Sequence, residues 1–165
     1  MSSSPRAAVV VASNRAAAGI YEDETGPLIV EALTAWGFTV GDAVVVGDGE
    51  PVGAAIAAAL ADGVAAVVTT GGTGINPTDR TPEVTRPLID RELPGVAEAM
   101  RARGTAAGVP TAALSRGLAG VAGSAVVVNL PGSRGGVKDG LAVLAEILPH
   151  AVDQLQGGDH PRSAL

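Results

Sequence analysis

Thr69-Thr70-Gly71-Gly72-Thr73-Gly74-Ile75-Asn76-Pro77-Thr78-Asp79-Arg80-Thr81-Pro82-Glu83 is the stretch that decides how this chain is read. An apolar run, Val64 to Val68, passes into two threonines and then into Gly71, Gly72 and Gly74. That is how a buried strand opens into a loop where backbone can come close to a ligand. Thr81 reads as the N-cap of a helix, with Pro82 at its first position and Glu83 in its first turn, so free N–H groups and the favourable dipole end face the glycines. This is anion-binding geometry. It is neither a Walker loop, since no Gly-Lys-Ser/Thr follows, nor a GxGxxG turn. A glycine-rich turn after a strand can also be structural only; Asp79 and the helix start tilt the reading towards phosphate.

Working outward, Ala7 to Ala12 is a short apolar run closed by Ser13-Asn14-Arg15 and reads as a buried parallel strand. Ala16 to Glu24 reads as loop. A helix is expected from Asp23-Glu24-Thr25-Gly26-Pro27, with Leu28, Ile29, Leu33 and Trp36 at helical spacing and Gly37 at its end. Phe38 to Val46 reads as a second strand that finishes at Gly47-Asp48-Gly49, and Val52 to Leu60 as an alanine-rich helix closed by Asp62-Gly63. The pattern up to the glycine loop is therefore β-α-β-α-β.

Beyond the loop, helices are expected over residues 82–91 and 95–103, separated at Leu93-Pro94. Residues 112–116 read as extended, with 117–122 as their hairpin partner. Ser124 to Leu130 is a strand ending in Pro131-Gly132-Ser133, and a helix follows over 137–148. The expected architecture is α/β: one three-layer domain, residues 6–156, with a mostly parallel central sheet flanked by helices. Residues 1–5 read as an extended or disordered N-terminus and 157–165 as a C-terminal tail. In open parallel sheets ligands sit beyond the carboxyl ends of the strands, and Ser13, Asp48 and the Gly71 loop all emerge there.

Composition narrows the chemistry. A length of 165 residues suits one domain with a real core. With 47% apolar but only 2% aromatic residues, that core is built from Ala, Val, Leu and Ile. The net charge of −6 and the scattered eleven basic residues argue against a nucleic-acid face. A small phosphorylated ligand remains open. The absence of cysteine excludes disulfides, thiolate nucleophiles and Cys metal sites. His150 and His160, the two histidines, read as surface residues. No apolar run is long enough for a membrane span, so no membrane association and a cytoplasmic placement are expected.

Asp48 and Asp79 are the candidate catalytic carboxylates, each just past a strand end. Reaction at a nucleotide phosphate calls for Mg²⁺, which takes one or two carboxylates with phosphate oxygens and water; each Asp also suits a plain turn. Arg80 and Glu83 flank Asp79 and could orient a phosphate. Ser115-Arg116 and Asn129-Leu130-Pro131-Gly132-Ser133 supply further polar groups near strand ends. Ser-His-Asp hydrolysis is not expected, because no GxSxG elbow exists.

Taken together, Thr69 to Gly74, Asp79-Arg80-Thr81-Pro82-Glu83, Leu114-Ser115-Arg116 and Asn129-Leu130-Pro131-Gly132-Ser133 resemble the MogA/MoaB family of molybdenum-cofactor biosynthesis proteins. The resemblance runs from about Val9 to Leu155. It implies a molybdopterin adenylyltransferase that joins the molybdopterin phosphate to AMP from ATP, with Mg²⁺ present and pyrophosphate leaving. A catalytically silent molybdopterin-binding or scaffold relative is the alternative. The resemblance further implies a homotrimer and a molybdate-insertion protein as possible partner. Carried over by position, Asp79 and Asp48 are the catalytic and Mg²⁺-holding residues. Gly71, Gly72, Thr73 and Gly74 cradle phosphates, with Ser13 beside them, Ser115 touches the pterin, and Asn129, Pro131, Gly132 and Ser133 line the nucleotide side. Ser13-Asn14-Arg15 stands where the family commonly has Ser-Asp-Arg or Ser-Asp-Ser, and Thr25-Gly26 stands where Ser-Gly is usual.

Overall fold

A computed structural model describes residues 3–158. Its centre is a seven-stranded sheet whose strands, in chain order, are β1 Arg6–Ala12, β2 Thr39–Val40, β3 Val44–Val46, β4 Ala66–Thr70, β5 Arg91–Glu92, β6 Ala119–Ala122 and β7 Ala125–Leu130. Neighbours run β2-β1-β4-β7-β6-β5, with β3 also paired to β1. The β1–β2, β1–β3, β1–β4 and β4–β7 pairs are parallel, and the β5–β6 and β6–β7 pairs antiparallel. The expected mostly parallel α/β domain is the one observed.

The apolar runs that announce β1, β4 and β7 alternate between two cores. Ala7, Val9, Ala66, Val68, Val126 and Val128 face a cluster closed by Ile29 and Leu33 of helix α2 (Thr25–Ala35) and Leu144 and Leu148 of helix α6 (Arg134–Leu155). Val10, Val67 and Val127 point the other way, onto Val52 and Ile56 of helix α3 (Glu50–Ala61). Successive strand side chains face opposite sides, so strands covered on both faces read as unbroken hydrophobic runs. The remaining helices are the short α1 (Asn14–Ala17), α4 (Thr81–Thr85) and α5 (Pro94–Ala106).

Several expectations are corrected. Residues 16–24 are not all loop, because Ser13 caps α1 by accepting from the Ala16 amide at 3.1 Å. Residues 38–46 form two strands instead of one, since Gly41-Asp42 interrupts the pairing with β1. Thr81 is the first residue of α4 and not its cap; Arg80 precedes the helix without a side-chain capping bond. The helix expected over 82–91 stops at Thr85 and tightens into a 3₁₀ turn, Arg86–Leu88, because Pro87 has no N–H to continue it. A five-residue helix offers little macrodipole, so the expected anion binding at this loop loses that support and keeps only the glycine backbone.

Residues 110–114 form a 3₁₀ turn, and the hairpin partner of β6 is β7, joined through Gly123-Ser124 with Ala122 opposite Ala125. Helix α6 starts at Arg134 behind the Ser133 cap, whose hydroxyl accepts from Gly136 at 3.1 Å. It also runs through Pro149 to Leu155. An interior proline costs about 3 kcal/mol, but Leu144, Leu148 and Val152 are spaced four apart and fully buried. At about 1.5–3 kcal/mol each, their burial outweighs the break. His150 is exposed, whereas His160 and residues 159–165 of the expected tail, like Met1 and Ser2, lie outside the described residues. Among the described residues no helix is long and apolar enough to cross a membrane.

Candidate active site

Because β1, β3, β4 and β7 are parallel, their carboxyl ends open on one edge and deliver Ser13, Gly47-Asp48, Gly71-Gly72 and Pro131-Gly132 side by side. Close packing of backbone fixes these loops. The Gly71 amide donates to the Leu130 carbonyl at 3.1 Å, and the Thr70 hydroxyl donates to the Pro131 carbonyl at 2.7 Å. Gly71 and Gly72 have φ of 90° and 67°, conformations that only glycine adopts without strain.

Two clefts meet at this edge. One, of about 800 Å³, is polar and is lined by Ser13, Asn14, Arg15, Tyr21, Asp23, Asp48, Gly71, Asn76, Thr78 and Arg134. The other, of about 560 Å³, is more apolar, with Ala97, Met100, Val109 and Leu114 on its walls beside Thr73, Gly74, Arg101, Ser115, Asn129, Pro131 and Ser133. Gly72, Asp79 and Gly132 line both. Asp79 therefore stands on the divide between a polar and an apolar compartment.

The two candidate carboxylates differ in environment. Burial raises the Asp48 carboxyl above the usual range, the neighbouring Asp79 charge adds to this, and the Asn14 backbone amide opposes it. Asn14 also anchors the strand end, since its side-chain oxygen accepts from the Asp48 amide at 2.9 Å. This gives Asn14 a task that needs an acceptor oxygen, which an amide supplies as well as a carboxylate. Asp79 closes its own loop through one carboxylate oxygen, which accepts from the Asn76 amide at 3.0 Å.

Arg116 braces the whole glycine loop. Its amide donates to the Thr73 carbonyl at 2.8 Å, its guanidinium donates to the carbonyls of Gly74 at 2.8 Å and Asp79 at 2.9 Å, and it pairs with the Glu83 carboxylate. Partial burial alone would raise the Glu83 carboxyl, but the Arg116 hydrogen bond and charge, a backbone bond and Arg80 together hold it below its ordinary 4.5. A depressed carboxyl stabilises the fold above the unfolded value, and the contribution disappears as pH falls through the folded one. Arg116 and Glu83 side chains are 37% and 43% exposed, so screening limits the pair to about 1 kcal/mol. Glu83→Gln should therefore lower the melting temperature by a few degrees at pH 7 and by progressively less at an acid pH below 4.5, where the carboxyl takes up its proton. An equal drop at both pH values would refute the ion-pair role.

The candidate residues divide unevenly. Asp48, Asp79, Ser13, the glycines, Thr73, Ser115, Pro131, Gly132 and Ser133 all line a cleft, whereas Arg80 and Glu83 line neither. Asn129 shares the apolar cleft with Ser115, so the expected split between a pterin side at Ser115 and a nucleotide side at 129–133 is not reproduced by the lining. The Asn129 side chain is moreover occupied, accepting from the Leu118 amide at 3.2 Å and donating to the Thr69 and Thr85 hydroxyls at 3.0 and 3.2 Å. It ties β7 to β4, to α4 and to the residue before β6. Ser13 is similarly engaged, capping α1 and sharing a 2.9 Å hydrogen bond with the Tyr21 hydroxyl.

Asp23, Tyr21, Arg134 and Arg101 line the clefts without having been singled out for them. Asp23 was visible only as a helix start, and it fills that role, accepting from the amides of Thr25 and Gly26 at 3.1 and 3.2 Å. Arg101, on α5, donates to the carbonyls of Ser115 and Gly117, both at 3.1 Å.

Fold and site define an α/β domain that presents a glycine cradle and two carboxylates between two clefts. Residues 8–150 match the family described as "Probable molybdopterin binding domain". The chain is 38% identical to the molybdopterin adenylyltransferase of Pyrococcus furiosus, over 87% of this chain and 89% of the relative. It is 44% identical to the molybdenum cofactor biosynthesis bifunctional protein of Synechococcus elongatus, over 93% of this chain and 48% of the relative. The chain thus spans about half the length of that bifunctional relative. The solved structure of the molybdopterin biosynthesis Mog protein from Mycobacterium ulcerans superposes with a TM-score of 0.89 at 48% identity, covering 94% of this chain and 99% of that one. The chain belongs to the molybdopterin-binding domain family of molybdenum-cofactor biosynthesis proteins.

Proposed function

We propose that the protein is a molybdopterin adenylyltransferase. The observation that carries this reading is the position of Asp79 on the divide between a polar and an apolar cleft. Joining two large substrates requires their reacting phosphates to meet at one point while their bodies lie in different environments. An oxygen of the molybdopterin phosphate attacks the α-phosphorus of ATP, the bond to the β-phosphate breaks, and pyrophosphate leaves. Because the substrate phosphate is itself the nucleophile, the protein needs to position groups and neutralise charge and supplies no nucleophilic side chain.

The donor set fits Mg²⁺ that arrives with phosphate. Among the described residues no cluster of three or more His, Cys, Asp or Glu could enclose an ion. Asp48 and Asp79 nevertheless act on one another electrostatically at the polar cleft, and Mg²⁺ commonly takes one or two carboxylates and completes its shell with phosphate oxygens and water. When bound, Mg²⁺ would neutralise phosphate charge between these two residues. The backbone around Gly71 and Gly72 lets phosphates come close, while Arg116 holds the loop that carries Asp79.

The expected result is that purified protein given ATP, MgCl₂ and molybdopterin forms adenylyl-molybdopterin and pyrophosphate in equal amounts. Molybdopterin binding without any pyrophosphate release would instead fit a silent relative. The same reading takes the protein to be a cytoplasmic homotrimer that hands its product to a molybdate-insertion protein. A stable monomer in sedimentation at micromolar concentration would remove the trimer from it.

A further inference from the structure

Among the described residues, Thr81 Oγ1 is the only buried side-chain nitrogen or oxygen without a hydrogen-bond partner. Thr81 is fully buried, and a hydroxyl left unpaired in such a place costs about as much stability as a good hydrogen bond supplies. Its surroundings include the Asp48 carboxylate. A Cβ on Gly72 would stand 2.3 Å from Thr81 Oγ1 and 3.1 Å from an Asp48 carboxylate oxygen. The hydroxyl and the carboxylate therefore both border the point that a side chain at residue 72 would fill, and glycine leaves that point open.

The Thr81 backbone is held from both ends. Its amide donates to the Gly72 carbonyl at 3.0 Å, and its carbonyl accepts from the Thr85 hydroxyl at 2.7 Å. Thr85 in turn accepts from the Asn129 side chain at 3.2 Å. The backbone that carries the hydroxyl is thus tied to the core and to the glycine loop.

We infer that Thr81 is a positioning residue whose hydroxyl donates to the Asp48 carboxylate once a nucleotide triphosphate occupies the polar cleft. The inference rests on the adenylyl-transfer reading and deepens it. Unpaired, the hydroxyl costs stability; bonded to Asp48 in the nucleotide complex, it fixes the direction of a carboxylate that has to face phosphate. Thr81 touches no substrate in this account and acts through Asp48 alone.

The test compares Thr81→Val, which keeps the shape and removes the hydroxyl, with Thr81→Ser, which keeps the hydroxyl. Without ligand, Thr81→Val should melt at or above the wild-type temperature. Calorimetry with ATP and MgCl₂ should show it binding about tenfold more weakly than wild type, a loss of about 1.4 kcal/mol, with Thr81→Ser within threefold of wild type. A lowered melting temperature for Thr81→Val with serine failing to restore binding would assign Thr81 a packing role and overturn the inference. If wild type binds Mg-ATP and Thr81→Val binds it equally well, the inference fails while the functional reading stands; if wild type binds no Mg-ATP, both fall.

Discussion

Asp79→Asn should leave the fold and molybdopterin binding intact and reduce adenylyl transfer by two to three orders of magnitude. Asparagine preserves the shape and keeps a side-chain oxygen to accept from the Asn76 amide, the 3.0 Å bond by which Asp79 closes its loop. The carbonyl of residue 79 still accepts from Arg116. What is lost is one negative charge at the carboxylate that, among the described residues, both clefts share. Removing a single preorganised electrostatic group from a reacting centre typically costs 10²–10³ in turnover, about 3–4 kcal/mol. On the proposed function the effect should fall on kcat, because the glycine cradle and the cleft walls are untouched. Steady-state kinetics with pyrophosphate detection reads this directly, and turnover within fivefold of wild type would strip Asp79 of its catalytic role. A parallel Asp48→Asn variant should lose less of the fold's stability than its position at a strand end suggests, because its anchoring bond to Asn14 uses the backbone amide.

The ease with which Asp79 is found, compared with its supports, reflects what kind of information a sequence carries. β1, β4 and β7 are legible because both faces of each are covered, so apolar residues fall on successive positions, Ala7–Ala12, Ala66–Val68 and Ala125–Val128, without polar alternation. The strand-end position of the glycine loop follows from the β4 run, and that of Asp48 from the separate apolar run that ends at Val46. Arg116 is different. It grips residues 73–83 from more than thirty positions away, and no local period encodes a contact of that range. The β6–β7 hairpin was hidden because Gly, Ala and Pro before Ala119 blur any alternation, so the true partner could not be told from the wrong one. The extension of α6 through Pro149 was hidden for an energetic reason: a local breaker was outweighed by burial visible only in three dimensions. Asp23 shows a third kind of loss. Its helix-start signal was read correctly, and that bland role concealed its place in the polar cleft.

Gly71→Ala should be the most damaging conservative change in the cradle, lowering stability by about 2–5 kcal/mol. Two costs add. At φ of 90° an alanine is strained, by about 1–2 kcal/mol. The new Cβ would also stand 2.3 Å from the Ala12 carbonyl oxygen. Ala12 cannot yield easily, since β1 is held by β3 on one side and β4 on the other, and overpacking of this kind typically costs a further 1–3 kcal/mol. Nor can Gly71 itself retreat, because a Cβ on Gly132 would be only 3.2 Å from its Cα and its amide is bonded to Leu130. For a domain of this length the melting temperature should fall by roughly 5–15 °C. Gly95→Ala is the control: its Cβ meets nothing within 4 Å, it lies in helix α5, and the substitution should stabilise by a few tenths of a kcal/mol up to about 1. If Gly71→Ala melts within 2 °C of that control, β1 and the cradle are not in contact. The polar cleft would then lack the wall that brings Ser13, Asp48 and Gly72 to one edge.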